Sequence, residues 1–178
     1  MPALEIRTAK ATDVDAIAQV LGISFYQPPH PLLRLLTQWF HPLVRWGIAV
    51  DLGTRLQEGH VHHLCLVAVQ TQASPQVIAV LEVSVRQQFW VAPMPYLYNL
   101  AVAPPWRGQG VGDRLMLAAE KVALSWGYPA IYLHVLESNR AALNLYRKRG
   151  YVYLRPDPQW QPFPWRQGRR LLLKKSLQ

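Results

Sequence analysis

Cysteine and acidic side chains are scarce in this 178-residue chain. Its single cysteine, Cys65, excludes an internal disulfide framework and fits a reducing compartment. Cys65 lies in the apolar run His63-Leu64-Cys65-Leu66-Val67-Ala68-Val69, so it reads as a buried strand thiol and not as a nucleophile. No uninterrupted apolar stretch approaches the roughly 18 residues of a membrane helix. The start, Met1-Pro2-Ala3-Leu4-Glu5, lacks a basic end followed by an apolar segment, so no secretion signal is expected. The expectation is a soluble, cytoplasmic protein. Only 16% of the residues are charged and 51% are hydrophobic, which is too little charge for disorder and enough apolar material for one domain over 1–178. Internal repeats and low-complexity tracts are missing.

The charge that is present is unevenly spread. Nineteen Lys and Arg against ten Asp and Glu give +9. Residues 1–100 hold six basic and six acidic side chains, whereas residues 101–178 hold thirteen and four. An anionic partner is therefore expected to meet the second half. Positive excess first suggests nucleic acid, but no basic motif interleaved with aromatics supports that.

Leu4–Thr8 reads as a strand. Thr12 or Asp13 can cap a helix that carries Val14, Ile17, Ala18, Leu21 and Phe25 on one face. Tyr26–Pro31 is a proline-rich loop, and Leu32–Leu56 returns to helical spacing, with Pro42 dividing it. Three strands are expected at Val61–Gln70, Val77–Phe89 and Met94–Val102, with Ser74-Pro75 at the first turn and Pro93 and Pro95 interrupting the second junction. Gly110–Trp126 is helical with Val111, Leu115, Ala118, Val122 and Trp126 on one stripe, stopped by Gly127. A strand at Ala130–Leu136, a helix at Asn139–Arg149 ended by Gly150, and strands at Tyr151–Leu154 and Arg170–Lys174 complete the chain. Pro156 to Pro164 forms an irregular loop. Early strands followed by strand-helix-strand-helix-strand indicate α/β with a mixed sheet.

Chemistry concentrates in Leu100-Ala101-Val102-Ala103-Pro104-Pro105-Trp106-Arg107-Gly108-Gln109-Gly110-Val111-Gly112. A strand enters a glycine-rich turn, and the turn opens a helix. Glycines let backbone N–H groups converge on an anion, the helix N-terminus adds partial positive charge, and Arg107 adds a full one. Taken locally, a plain structural turn is an equal alternative. No Gly-Lys-Ser/Thr follows, which disfavours a nucleoside-triphosphate loop, and Gly108, Gly110 and Gly112 alternate where a dinucleotide fold needs Gly-x-Gly-x-x-Gly.

Arg107-Gly-Gln-Gly110-Val-Gly112 resembles the pyrophosphate loop of the GNAT superfamily of acetyl-CoA-dependent N-acetyltransferases. Leu100-Ala-Val102-x-Pro104 is similar to that family's fourth strand, Leu133-His134-Val135 to its fifth, and Asn139 through Tyr151 to the following helix and its exit. Ile6-Arg7-x-Ala9-x-x-x-Asp13 with Ile17 is similar to its opening strand and helix. Residues 97–151 carry the resemblance in order as the cofactor-binding core; 26–60 and 155–168 do not. The wording of this half resembles cyanobacterial and plastid members.

The resemblance implies a mixed, mostly antiparallel central sheet flanked by helices and splayed between strands four and five. A pantetheine arm would enter that gap like an added strand against Leu100, Ala101 and Val102. A backbone N–H there would face the thioester oxyanion. Arg107, Gly108, Gln109, Gly110, Val111 and Gly112 would hold the pyrophosphate. Tyr146 stands at the general-acid position, with simple helix packing as its alternative. Asn139 is a helix cap first and a cofactor contact second.

Many family members place a glutamate just before the Leu-x-Val motif, where this chain has Asn99, which cannot be a base. Glu82 is the leading carboxylate candidate, with His134 and Glu137 behind it. His60, His62 and His63 lack partners at a metal-ligand spacing and read as surface or strand-start residues, so no metal is expected. The implied activity is direct acetyl transfer from acetyl-CoA to a primary amine, a protein lysine or an N-terminal α-amine, with a small amine as an alternative. Without an activated cysteine or serine, no acetyl-enzyme intermediate is expected. The rival reading is a binding module that keeps acetyl-CoA but has lost catalysis. Expected partners are acetyl-CoA and a protein or peptide acceptor, with a homodimer compatible; neither membrane nor nucleic acid is expected.

Overall fold

The computed structural model describes residues 3–25, 62–72, 74–88, 91–157 and 168–178. The expected segments Tyr26–Pro31 and Leu32–Leu56, His60, and most of the loop through Trp160 and Trp165 lie outside the described residues. Among the described residues seven strands form one sheet: β1 (Leu4–Thr8), β2 (His63–Gln70), β3 (Gln76–Gln88), β4 (Val91–Val102), β5 (Ala130–Leu136), β6 (Val152–Pro156) and β7 (Arg170–Ser176). Their spatial order is β1-β2-β3-β4-β5-β7-β6. Every neighbouring pair is antiparallel except β4 and β5, which run parallel. Helices α1 (Val14–Phe25), α2 (Val111–Ser125) and α3 (Arg140–Lys148) are the helices among the described residues. None of them is long and apolar enough to cross a membrane.

The sheet has an apolar layer on each side. Ile17, Val20 and Leu21 of α1 pack with Cys65, Val67, Val80 and Ala101. Leu115, Met116, Ala119 and Ala123 of α2 pack with Leu81, Val83, Leu97 and Leu133 in the larger cluster, which Leu143 and Tyr146 of α3 join. Ala118, Val122 and Trp126, expected on the inner stripe of α2, are only partly buried; Met116, Ala119 and Ala123 take the innermost line. Small alanines let the helix lie close to the sheet, which rotates its buried face away from the bulkier stripe. Phe25, expected on the inner face of α1, is 57% exposed.

Helix ends follow the local chemistry. Asp13 accepts from the Lys10 N–H at 2.7 Å and from both Arg7 terminal nitrogens at 2.6 and 2.9 Å, fixing the turn into α1. The Arg7 bonds hold the Asp13 carboxyl below its ordinary range. Gly127 and Gly150 stop α2 and α3 with φ of 84° and 83°, a conformation that glycine adopts without Cβ strain.

Pro93 and Pro95 lie inside β4 and do not interrupt it. β4 meets β5 only from Tyr96 onward, so a proline nitrogen facing that side breaks no ladder bond. A second departure is a bulge. Val80 pairs with Ala101 and Glu82 with Tyr98, so β4 carries one residue more than β3 over this stretch. Asn99, inside it, has φ 55°, a left-handed conformation that asparagine tolerates better than most residues.

Glu120, 4% exposed, pins α2 to the far side of the sheet. Its Oε2 accepts from Arg149, just beyond α3, and from Lys175 of β7, the latter at 2.8 Å. Removing one member of such a buried group leaves charges without compensation. Glu120→Ala is expected to lower unfolding stability by roughly 3 kcal/mol, read as a shift of the urea midpoint at unchanged slope. A shift under about 0.5 kcal/mol, the range of an ordinary surface change, would contradict this.

Candidate active site

β4 and β5 touch along two residue pairs, Tyr96 with Tyr132 and Leu97 with Leu133. β5 then continues to Leu136 and β4 to Val102 without further pairing between them. All seven residues of β5 are meanwhile held on its other side by β7. The strands part, and a cavity of about 430 Å³ lies at the opening, within the size range of ligand pockets. Leu97, Asn99 and Leu100 line it from β4, His134 to Leu136 from β5, Met116 from α2, and Asn139, Ala142 and Tyr146 from the start and face of α3.

Beyond the open end of β4, a 3-10 turn (Pro104–Trp106) leads into the glycine loop. Gly108 and Gly110 take φ of 75° and 79°, and Gly110 caps α2. Nothing stands within 4 Å of a Cβ at either position, so φ is what demands glycine there. Gly112 is different: a Cβ would stand 3.3 Å from Leu145 Cδ2 and 3.7 Å from Val102 Cγ2. The lack of a side chain therefore brings the first turn of α2 against both β4 and α3. Arg107 does more than add charge. Its Nε donates to the Val102 carbonyl at 2.9 Å, and its Nη2 reaches Ser24 Oγ of α1 at 3.4 Å. Gln109 Nε2 donates to the Pro105 carbonyl at 2.9 Å. The loop is thus tied to the strand before it, and α2 opens on an exposed, side-chain-poor turn, as an anion cradle requires.

Tyr146 is 8% exposed and lines the cavity, its ring centroid 5.9 Å from that of Tyr151. Burial pushes its phenol up to about 12, so it stays protonated near neutral pH. Asn139 caps α3, its Oδ1 accepting from Ala142 N–H at 3.1 Å, and lines the same cavity.

The three base candidates separate. Glu82 is fully buried; its Oε2 is 3.0 Å from His63 Nε2 and its Oε1 accepts from Asn99 Nδ2 at 2.6 Å. It stands behind the bulge, one residue removed from the cavity wall that Asn99 forms. His134 lines the cavity, but its Nδ1 accepts from Arg170 Nη2 at 3.0 Å. Arginine only donates, so the proton of a neutral imidazole sits on Nε2 and no lone pair remains free. Burial, and then the Arg170 charge, lower its pKa to about 4. Glu137 borders a separate cavity of about 320 Å³ with Arg147 and Arg169.

His63, expected as a surface or strand-start residue, is only half of that. It does begin β2, but its imidazole is buried against Glu82, 19 positions away, with the Tyr98 ring 6.2 Å off. Arg86, Tyr96, Tyr98 and Arg170 also line the cavity unforeseen. One signal was available for the first: Glu82, Ser84 and Arg86 put polar residues at every second position of a run, 77–86, that is otherwise apolar. Cys65 faces Glu82 across the ladder, fully buried, and burial raises its thiol far above the ordinary range. No group of three or more metal-binding side chains occurs among the described residues.

Residues 28–151 match the model of the acetyltransferase (GNAT) family. The chain belongs to that family. GCN5-related N-acetyltransferase 10, chloroplastic, of Arabidopsis thaliana is 30% identical over 184 aligned positions, covering 96% of this chain and 72% of that protein. GCN5-related N-acetyltransferase 7, chloroplastic, of the same plant is 38% identical over 82 residues, 46% of this chain, which there spans only 30% of the relative. The PaiA N-acetyltransferase of Thermoplasma acidophilum, solved with coenzyme A, shares the fold at TM-score 0.71 and 17% identity, over 98% of this chain and 99% of that one. The expected mixed, mostly antiparallel GNAT sheet is the one observed.

If the loop is the anion cradle of this GNAT chain, Gly110→Ala strains a left-handed residue by about 1–2 kcal/mol. The dissociation constant for acetyl-CoA is expected to rise about tenfold by calorimetry, with the fold retained by circular dichroism. Unchanged affinity would remove the loop from the site.

Proposed function

We propose that this chain transfers the acetyl group of acetyl-CoA directly to a primary amine, on a protein lysine or a protein N-terminus. The observation that carries the reading is continuity: the gap between β4 and β5 opens toward the glycine loop, with Tyr146 on its wall. All seven strands, from Leu4 to Ser176, share one sheet, which supports treating 1–178 as one catalytic unit. The lone, buried Cys65 supports a reducing, cytoplasmic setting.

When bound, acetyl-CoA supplies an acyl carbon activated as a thioester. Leu100, Ala101 and Val102 offer backbone groups to the pantetheine amides, and a backbone N–H beside the bulge meets the thioester oxygen. Gly108 to Gly112 receive the pyrophosphate at the start of α2. Transfer forms a C–N bond and breaks the C–S bond; the amine loses a proton and the departing sulfur gains one. Tyr146, protonated on the cavity wall, would supply the proton that the departing sulfur gains. Glu82, sealed behind Asn99, acts through its neighbours: it orients the Asn99 amide and, with His63, draws the amine's proton inward.

The sealing of Glu82 also favours a second reading, a module that binds acetyl-CoA without turnover. Mass spectrometry of peptide and amine mixtures incubated with protein and acetyl-CoA separates the two: acetylated product supports transfer, and tight cofactor binding without any product supports the module. Tyr146→Phe is expected to lower kcat about 100-fold, as for loss of a general acid, with acetyl-CoA affinity within about threefold. Because its pKa is about 12, this phenol produces no fall in rate below about pH 10. Glu82→Gln is expected to lower kcat and displace the acid limb of the rate profile; an unchanged profile and turnover would remove Glu82 from the mechanism.

A further inference from the structure

We propose that Arg86 recognises a carboxylate carried by the amine acceptor; this rests on the acetyltransferase reading above. The described lining of the cavity between β4 and β5 includes two guanidinium groups, Arg86 and Arg170, and no acidic side chain. Both arginines stand on the face that bears Tyr96 and His134. Ser84 and Glu82 pair with Tyr96 and Tyr98, and Arg86 follows at the next even position, opposite Met94. Arg170 pairs with Leu136, two residues along β5 from His134.

The two differ in how they are held. Arg170 is committed to scaffolding, its Nε 2.9 Å from Asp157 and its Nη2 on His134. Arg86 is exposed, and its guanidinium carbon lies 5.2 Å from the Tyr96 ring centroid and 5.3 Å from that of Tyr98. Two aromatic faces fix its position, and no carboxylate among the described residues pairs with it. Several half-buried cations elsewhere do have one: Arg7 has Asp13, and Arg149 and Lys175 have Glu120. A guanidinium held by ring faces keeps its hydrogen-bonding fork for a ligand, and a carboxylate matches that fork in two parallel bonds.

The cofactor's phosphates are the wrong distance away. The Arg86 guanidinium sits at the level of Tyr96 and Tyr98, while the glycine loop begins beyond Val102. At about 3.3 Å per strand residue, the four steps from Tyr98 to Val102 alone span about 13 Å. Arg86 therefore marks the acceptor's end of the gap. An amine carrying no anion would enter a cavity whose charged side chains are all cationic, and like charges repel it. An amine with a carboxylate a few bonds away would pair with Arg86 and be oriented by it. A free amino acid and a peptide with Asp or Glu beside its reacting amine share this chemistry.

The test compares kcat/KM for matched acceptors in two arms: amino acids against their carboxamides, and peptides with Asp or Glu against Asn or Gln beside the amine. The wild-type protein is expected to prefer the carboxylate about tenfold or more in one arm, which identifies the source. Arg86→Ala should abolish most of that preference through KM, Arg86→Lys should keep part of it, and acetyl-CoA affinity should stay within about twofold in both. Equal rates in both arms, or a preference that survives Arg86→Ala, would overturn the proposal. If acetyl-CoA binds and no acceptor is acetylated, the transferase reading fails separately. Titration of the same pairs into the protein–CoA complex then decides on Arg86: tighter binding of the carboxylate that is lost in Arg86→Ala supports it, and equal binding overturns it.

Discussion

A parallel strand pair joined by only two ladder pairs is the constraint on which the rest of this molecule depends. Separating two strands inside a sheet leaves backbone donors and acceptors along both inner edges, and such groups require partners. The sheet tolerates the break because each strand is secured elsewhere: β4 pairs with β3 along its length and β5 with β7 along its own. Helices α2 and α3 then supply side chains below the gap. The cavity is an unfinished piece of sheet, held open by finished pieces on both sides.

Much of the positive excess in the second half serves that scaffold. Arg149 and Lys175 converge on Glu120, Arg170 on Asp157, and Arg107 on the last carbonyl of β4. A net count treats these as equivalent to a charge facing solvent, although a paired guanidinium contributes far less field to an incoming anion. The initial attraction of a nucleic-acid reading fades for that reason. What remains directed at ligands is a smaller set, and position in the sheet distinguishes it better than number.

The parts legible from sequence are those written locally. Gly108 and Gly110 announce their turn because no other residue takes those dihedrals so easily, and Gly127 and Gly150 end their helices for the same reason. Asn139 caps α3 with an atom three residues from its partner. The Glu82–His63 contact was hidden because it joins positions 19 apart across a ladder, and strand register cannot be read from either segment alone. The aromatic seat of Arg86 depends on register between β3 and β4 in the same way. Pro93 and Pro95 misled because a proline breaks a strand only where its missing N–H has a partner to lose. The stripe of α2 was displaced by the close approach its alanines permit, a property of the packed pair and not of the helix.

The bulge at Asn99 changes the parity of β4. On its N-terminal side the even residues, Tyr96 and Tyr98, share a face with Glu82, the face toward α1; on its C-terminal side the odd residue Ala101 joins the α1 cluster, while Val102 turns to the opposite layer. One strand thus presents aromatic rings at one end and a small apolar surface at the other, along a single side of the sheet. Loss of one residue there would restore an unbroken alternation with Ala101 still facing α1, but it would remove the left-handed step from which Asn99 reaches both Glu82 and the cavity. Strand β4 is read in two frames, and the chemistry sits at the change of frame.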